Sequence, residues 1–164
     1  MNSGNIQLVL ENYVKQPTQF LGVFPKDRLP PFRPLTCFVA NTDPECMPGQ
    51  HWVAFLVDAR RIEYFDSYGE SPALYGFNVD ASRVLSYPVQ ALDSDTCGDH
   101  CMHYLISRTR GCTLDHLRSR YHPTQLGAND VMIRRYIYKL LKRLKTVPLR
   151  NACACNQCCT NRRS

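Results

Sequence analysis

The chain has 164 residues, 44% hydrophobic and 21% charged, with nine cysteines and a formal net charge of +6. That length and balance suit one ordinary globular domain with its own core. No run approaches the ~18 apolar residues of a membrane span, and the opening "MNSGNIQLVLENYV" lacks a signal peptide's basic-then-apolar order, so no membrane association is expected. The expected setting is a reducing compartment, where the cysteines serve as free thiols, catalysts or ligands rather than disulfides.

In chain order, residues 4–15 predict a short amphipathic helix, with Ile6, Leu10, Tyr13 and Val14 at helical spacing behind Ser3 as cap. "PTQFLGVFPKDRLPPFRP" predicts an extended, irregular segment, because its prolines and glycine break regular structure. "LTCFVAN" predicts a buried strand and "TDPECMPGQ" a loop. "HWVAFLVDARRIEYFD" predicts two strands around a tight turn at Ala59-Arg60. If Asp58 and Arg61 flank a two-residue loop, Val53 lies opposite Asp66. His51 and Asp66 then project diagonally from one sheet face. "SRVLSYPVQ" predicts a further strand ending near Gln90, and Cys97 to about Ser107 a helix.

Residues 129–147 predict the clearest helix, ended by Pro148. Ile133, Tyr136, Ile137, Leu140, Leu141 and Leu144 share one face, and Arg134, Arg135, Lys139, Lys142, Arg143 and Lys145 the other. Residues 1–125 carry 11 Lys/Arg against 13 Asp/Glu, a net of −2, whereas residues 126–164 carry 9 against 1, a net of +8. A basic end on a near-neutral body fits a polyanion such as nucleic acid, or simply a solvated outer face. The tail, residues 149–164, has no periodicity. Its Cys153, Cys155, Cys158 and Cys159 match no standard zinc spacing, leaving metal, redox and assembly roles open, and no ligands are assigned.

Four residues carry candidate chemistry. A lone cysteine is ordinarily a buried core thiol. Cys97, however, follows the capping residues of "DSDT" and precedes Gly98, which places it in the first turn of a helix. There, free backbone N–H groups and the helix dipole favour a thiolate. Such a nucleophile needs a base and an orienting group, and His51 and Asp66 are the candidates. Taken singly, His51 beside Trp52 reads as structural and Asp66 as a turn residue. Gln90 supplies an amide of the kind that stabilises a developing oxyanion. Cys101, His100 and His103 stand nearby, but the two cysteines share a helix face from which the histidines point away, so no metal is assigned.

"GQHWVAFLVD", "YFDSYG" and the Gln-x6-"CGDHC" of residues 90–101 together resemble the adenovirus maturation protease (adenain) family, in the clan that includes the SUMO-specific proteases. "QFLGVFPKDRLP" and "CFVANT" extend the likeness to about residues 17–110. The resemblance implies an α+β cysteine-protease domain over residues 1–148, a mixed sheet packed on helices with the nucleophile at a helix N-terminus. It also implies roles: Cys97 as nucleophile, His51 as base and acid, Asp66 as its orienter, and Gln90 with the Cys97 N–H as oxyanion hole. By the same likeness the substrates are virion precursor proteins cut at small, glycine-containing sites. The chemistry then needs no cofactor. DNA, bound through Arg134, Arg135, Lys139, Lys142 and Arg143, and a viral peptide are possible activators, in a monomer of the virion and host nucleus. A ubiquitin- or SUMO-like-protein protease and a non-catalytic nucleic-acid or metal-binding protein are the alternatives. Asp66 departs from adenain's glutamate and matches the SUMO-protease group. No cysteine lies between Cys46 and Cys97, where adenain joins its activating peptide.

Overall fold

The computed structural model describes residues 2–59, 61–81, 83–84 and 87–146. The turn residue Arg60, Pro148 and the cysteine-rich tail with Cys153, Cys155, Cys158 and Cys159 lie outside the described residues. The first helix, α1 (Ser3–Tyr13), starts one residue before the predicted 4 and ends two before the predicted 15, and its cap is Asn2, not Ser3. Asn2 is the residue with extended backbone, and its Oδ1 accepts the Asn5 N–H at 2.9 Å. Ile6, Val9 and Leu10 form its buried stripe.

Among the described residues the sheet has five strands in sequential order. They are β1 (Gln19–Phe24), β2 (Thr36–Asn41), β3 (Trp52–Val57), β4 (Ile62–Phe65) and β5 (Arg83–Val84). β1 and β5 run parallel to their neighbours and the three inner strands are antiparallel, a mixed sheet. β1 corrects the expectation of an irregular segment. Its flanking residues Pro17 and Pro25 stand outside the ladder, and Gly22 sits at a register irregularity between Phe20 and Val23. Proline and glycine therefore bound and kink an edge strand here rather than abolish it. β2 is buried throughout, as its unbroken apolar run predicts for a strand covered on both faces.

The hairpin has the register read from the sequence. Asp58 and Arg61 exchange backbone hydrogen bonds of 2.9 and 3.4 Å, and Val57 pairs with Ile62 and Ala54 with Phe65. The strand expected to reach Gln90 does not. Beyond β5, the Val89 and Gln90 N–H groups both converge on the Ser67 carbonyl, at 2.8 and 3.1 Å, instead of joining a ladder.

Helices cover one sheet face: α1, α2 (Cys97–Thr109), and α4 (Leu126–Thr146). α2 is central, with every residue from Cys97 to Ser107 buried. It is tied to β4 by Glu63, which accepts the Tyr104 hydroxyl at 3.0 Å and the Arg108 guanidinium at 2.8 and 2.7 Å. α3 (Leu114–Ser119), capped by the Thr113 hydroxyl, was not predicted. α4 begins at Leu126, earlier than the predicted 129. Asn129 and Asp130, the first residues of the predicted span, are buried within it. The other sheet face packs Phe38, Val53, Phe55, Tyr64 and Phe77 under Phe24 and Phe32. No helix of the described residues is long and apolar enough to cross a membrane.

Candidate active site

The four candidate residues come from separate stretches of the chain. His51 directly precedes β3 and is 7% exposed. Its Nε2 lies 2.6 Å from Asp66 Oδ1, and Cys97 is near enough to act on the charge of the ring. Burial disfavours the protonated ring. The hydrogen bonds and negative charges of Asp66 and Cys97 outweigh burial and raise His51 to about 9. Near neutral pH the ring is therefore held as an imidazolium beside Cys97.

Asp66 follows β4 and is fully buried. It is both things the sequence allowed, a turn residue and a partner for His51. Oδ1 also accepts the Tyr68 N–H at 3.0 Å, while Oδ2 accepts the Glu70 N–H at 3.1 Å and the Tyr75 hydroxyl at 3.0 Å. Four donors hold the carboxylate in one orientation, and that orientation fixes the imidazole. The rings of Tyr68 and Tyr75 close over His51, Tyr68 stacked at 4.7 Å between centroids.

Cys97 is the first residue of α2 and 8% exposed. The first helical bond runs from the His100 N–H to the Thr96 carbonyl at 3.0 Å, so the Cys97, Gly98 and Asp99 amides precede the helical ladder. These are the groups that stabilise negative charge on sulfur or on a carbonyl oxygen beside it. Thr96 occupies the cap position without capping. Its hydroxyl donates instead to Asp130 of α4 at 2.7 Å.

Gln90 is fully buried rather than solvated. Ser67 donates its hydroxyl to Gln90 Oε1 at 2.6 Å, which fixes the amide so that Nε2 faces Ser94 O (2.8 Å) and Tyr68 Oη (3.3 Å). Ser67 thus links the residue beside the base to the candidate oxyanion donor. Sequence reasoning missed it, although its place directly after Asp66 was visible in "YFDSYG".

Asp130 was also missed as a site residue. It accepts Ala91 N–H at 3.1 Å, Thr96 O–H at 2.7 Å and His100 Nε2–H at 2.8 Å, fastening the loop between Gln90 and Cys97 to α4. Cys101 packs in the core and donates its thiol to the Trp52 carbonyl at 3.2 Å, and burial pushes that thiol well above its ordinary range. Burial lowers His103 to about 4, and its Nδ1 accepts the Tyr121 hydroxyl at 3.0 Å. Among the described residues no group of three or more His, Cys, Asp or Glu side chains could hold a metal.

The five basic residues proposed for DNA divide. Arg135, Lys139, Lys142 and Arg143 are exposed along α4. Arg134 pairs instead with Asp95 and, at 3.7 Å, with buried Asp99, joining α4 to the N-terminal turn of α2. A cavity of about 420 Å³ lined by Tyr87, Pro88, Arg118, Tyr121 and His122 includes none of the four candidate residues.

No family model matches this chain. It is similar to the cysteine protease S273R of African swine fever virus, with 52% identity over 46 residues, 24% of this chain and 17% of the viral protein. The chain therefore matches under a fifth of that relative's length. The likeness supports a protease role for this α+β chain with its mixed sheet packed against helices.

Proposed function

We propose that this chain is a cysteine endopeptidase that cuts virion precursor proteins at small, glycine-containing sites. The observation that carries the reading is a buried imidazole held by Asp66 at 2.6 Å, its charge favoured by Cys97, the first residue of a helix. The partial likeness to a viral cysteine protease supports the same chemistry.

On this reading the Cys97 thiolate attacks the scissile carbonyl carbon, and the carbonyl π electrons move onto oxygen. Gln90 Nε2–H and the Cys97 amide stabilise that oxyanion. The His51 imidazolium gives its proton to the amine nitrogen as the C–N bond breaks, leaving an acyl-enzyme. Neutral His51 then takes a proton from water, whose oxygen attacks the thioester carbon. The S–C bond breaks with its electron pair returning to Cys97 sulfur, which releases the acid and restores the thiolate beside the imidazolium. Asp66 holds the imidazole throughout and transfers no proton.

The resemblance to adenain favours precursor proteins as substrates, and the exposed basic face of α4 favours DNA as an activator. Asp66, in place of adenain's glutamate, favours the second reading, cleavage of ubiquitin-like conjugates after a terminal Gly-Gly. A thiol-reactive Gly-Gly peptide probe tests the chemistry. It should label Cys97, and Cys97→Ala should abolish both labelling and cleavage in a protein that remains folded. Full activity in Cys97→Ala would overturn the assignment. Cleavage of a precursor peptide against a ubiquitin-like fusion then separates the two substrate classes.

A further inference from the structure

The Tyr68 hydroxyl has no part in the chemistry above, yet it meets the group that does. Tyr68 is half-buried, with its ring over His51 at 4.7 Å and 25° between planes. Its oxygen accepts Gln90 Nε2–H at 3.3 Å. Gln90 has little choice elsewhere: Ser67 holds Oε1 at 2.6 Å, and the Ser94 carbonyl takes an amide hydrogen at 2.8 Å. The N–H that Gln90 can offer an oxyanion is therefore the one now resting on Tyr68. Among the described residues nothing accepts the Tyr68 proton, so its O–H is free to turn.

We propose that Tyr68 is a catalytic residue whose hydroxyl donates a second side-chain hydrogen bond to the oxyanion, beside Gln90. This rests on the cysteine-peptidase reading above. Two donors 3.3 Å apart can both reach one oxygen set at about 2.8 Å from each. An arriving carbonyl oxygen takes the Gln90 N–H from Tyr68, and the phenol then rotates its own O–H onto the same oxygen. As the Cys97 S–C bond forms and charge gathers on that oxygen, both donors shorten their bonds without transferring a proton. When the C–N bond breaks, the electron pair returns to re-form C=O and both bonds relax. Burial, with Cys97 and Asp66 nearby, holds the phenol above its ordinary value, so it keeps the proton it must offer. Tyr68 also guards the donor before substrate arrives, since its oxygen occupies the hydrogen-bonding place a water would otherwise take.

The competing role is purely structural, a ring that covers His51. Tyr68→Phe separates the two because it keeps the ring and removes only the hydroxyl. The expected result is a kcat about 10- to 100-fold lower with KM unchanged, somewhat less than losing a sole oxyanion donor. Inhibition by a peptide aldehyde, whose thiohemiacetal carries an oxygen in the same place, should weaken by a similar factor. Alkylation of Cys97 by iodoacetamide, which builds no oxyanion, should proceed at the wild-type rate with the wild-type pH dependence. In a Gln90→Ala background the same change should cost a different factor from its cost alone, since the two donors share one oxygen. Wild-type cleavage and aldehyde affinity in Tyr68→Phe would overturn the proposal. So would a matching loss in alkylation, which would assign the hydroxyl to the His51–Cys97 pair. Absence of Cys97 alkylation in the wild-type protein would instead overturn the peptidase reading on which it stands.

Discussion

His51 is pulled in opposite directions, by burial that opposes its charge and by two partners that require it. The partners win, and the ring is raised from its ordinary 6.5 to about 9. Between those values the folded site holds a protonated imidazole that the unfolded chain would not. Its contribution to stability is full below about 6.5 and is lost as pH rises through about 9. Activity should follow the same limb, because the leaving amine needs the imidazolium proton. Cleavage should fall as pH passes about 9 in a kcat/KM profile. Asp66→Asn removes the carboxylate charge beside the ring, so the limb should move to lower pH and kcat should drop on the order of 10²-fold or more. An unmoved alkaline limb in Asp66→Asn would show that another group sets it. At this scale the sequence was most informative about the hairpin pair. Period-two alternation across a two-residue turn is enough to put His51 and Asp66 on one face. It could not show that Ser67 orients Gln90, because that bond joins residues 23 apart through a fold the local pattern does not encode.

The elements divide by whether their own residues decide them. β2, the hairpin, α2 and α4 have periodic or continuous apolar patterns and follow their sequence closely. β1 does not, because its strand character comes from pairing with β2 and its local composition argues for a loop. α3 had a readable start, a Thr113 cap with Asp115 in the first turn, but its short length gives periodicity little to work on. The start of α4 was misplaced for a different reason. The apolar periodicity becomes readable only after Asn129 and Asp130, which tertiary partners claim: Asn129 binds the Val89 and His122 carbonyls at 3.1 and 3.0 Å, and Asp130 binds the loop after Gln90. Asp130→Ala would leave the Ala91 N–H, the Thr96 hydroxyl and buried His100 without their acceptor. The expected cost is about 1–3 kcal/mol of stability, read as a melting temperature lowered by roughly 2–10 °C. Because that loop connects Gln90, the proposed oxyanion donor, to Cys97, the proposed nucleophile, kcat should fall more than KM rises. A variant that melts lower but turns over normally would confine Asp130 to a structural role.

Across the whole molecule, charge is segregated rather than mixed: net −2 over residues 1–125 and +8 over residues 126–164. α4 carries much of the positive end, with its apolar face of Ile133, Ile137 and Leu140 sunk into the core beside α2. A bound polyanion would therefore sit on the outer face of a helix whose inner face touches the helix that begins with Cys97. Arg134 is the exception on that outer face, since its guanidinium answers Asp95 and Asp99 at the start of α2. The test of DNA binding accordingly leaves it in place and changes Arg135, Lys139, Lys142 and Arg143 to glutamine. These four are exposed, so the fold should tolerate the change with little shift in melting temperature. If each neutralises one phosphate, the slope of log affinity against log salt should become shallower by about 3 to 4. DNA-stimulated cleavage, measured against cleavage without DNA, should fall in parallel. Unaltered salt-sensitive binding by the fourfold variant would move the polyanion site off α4. A change in slope without a change in stimulation would leave α4 binding DNA but not transmitting that binding to Cys97.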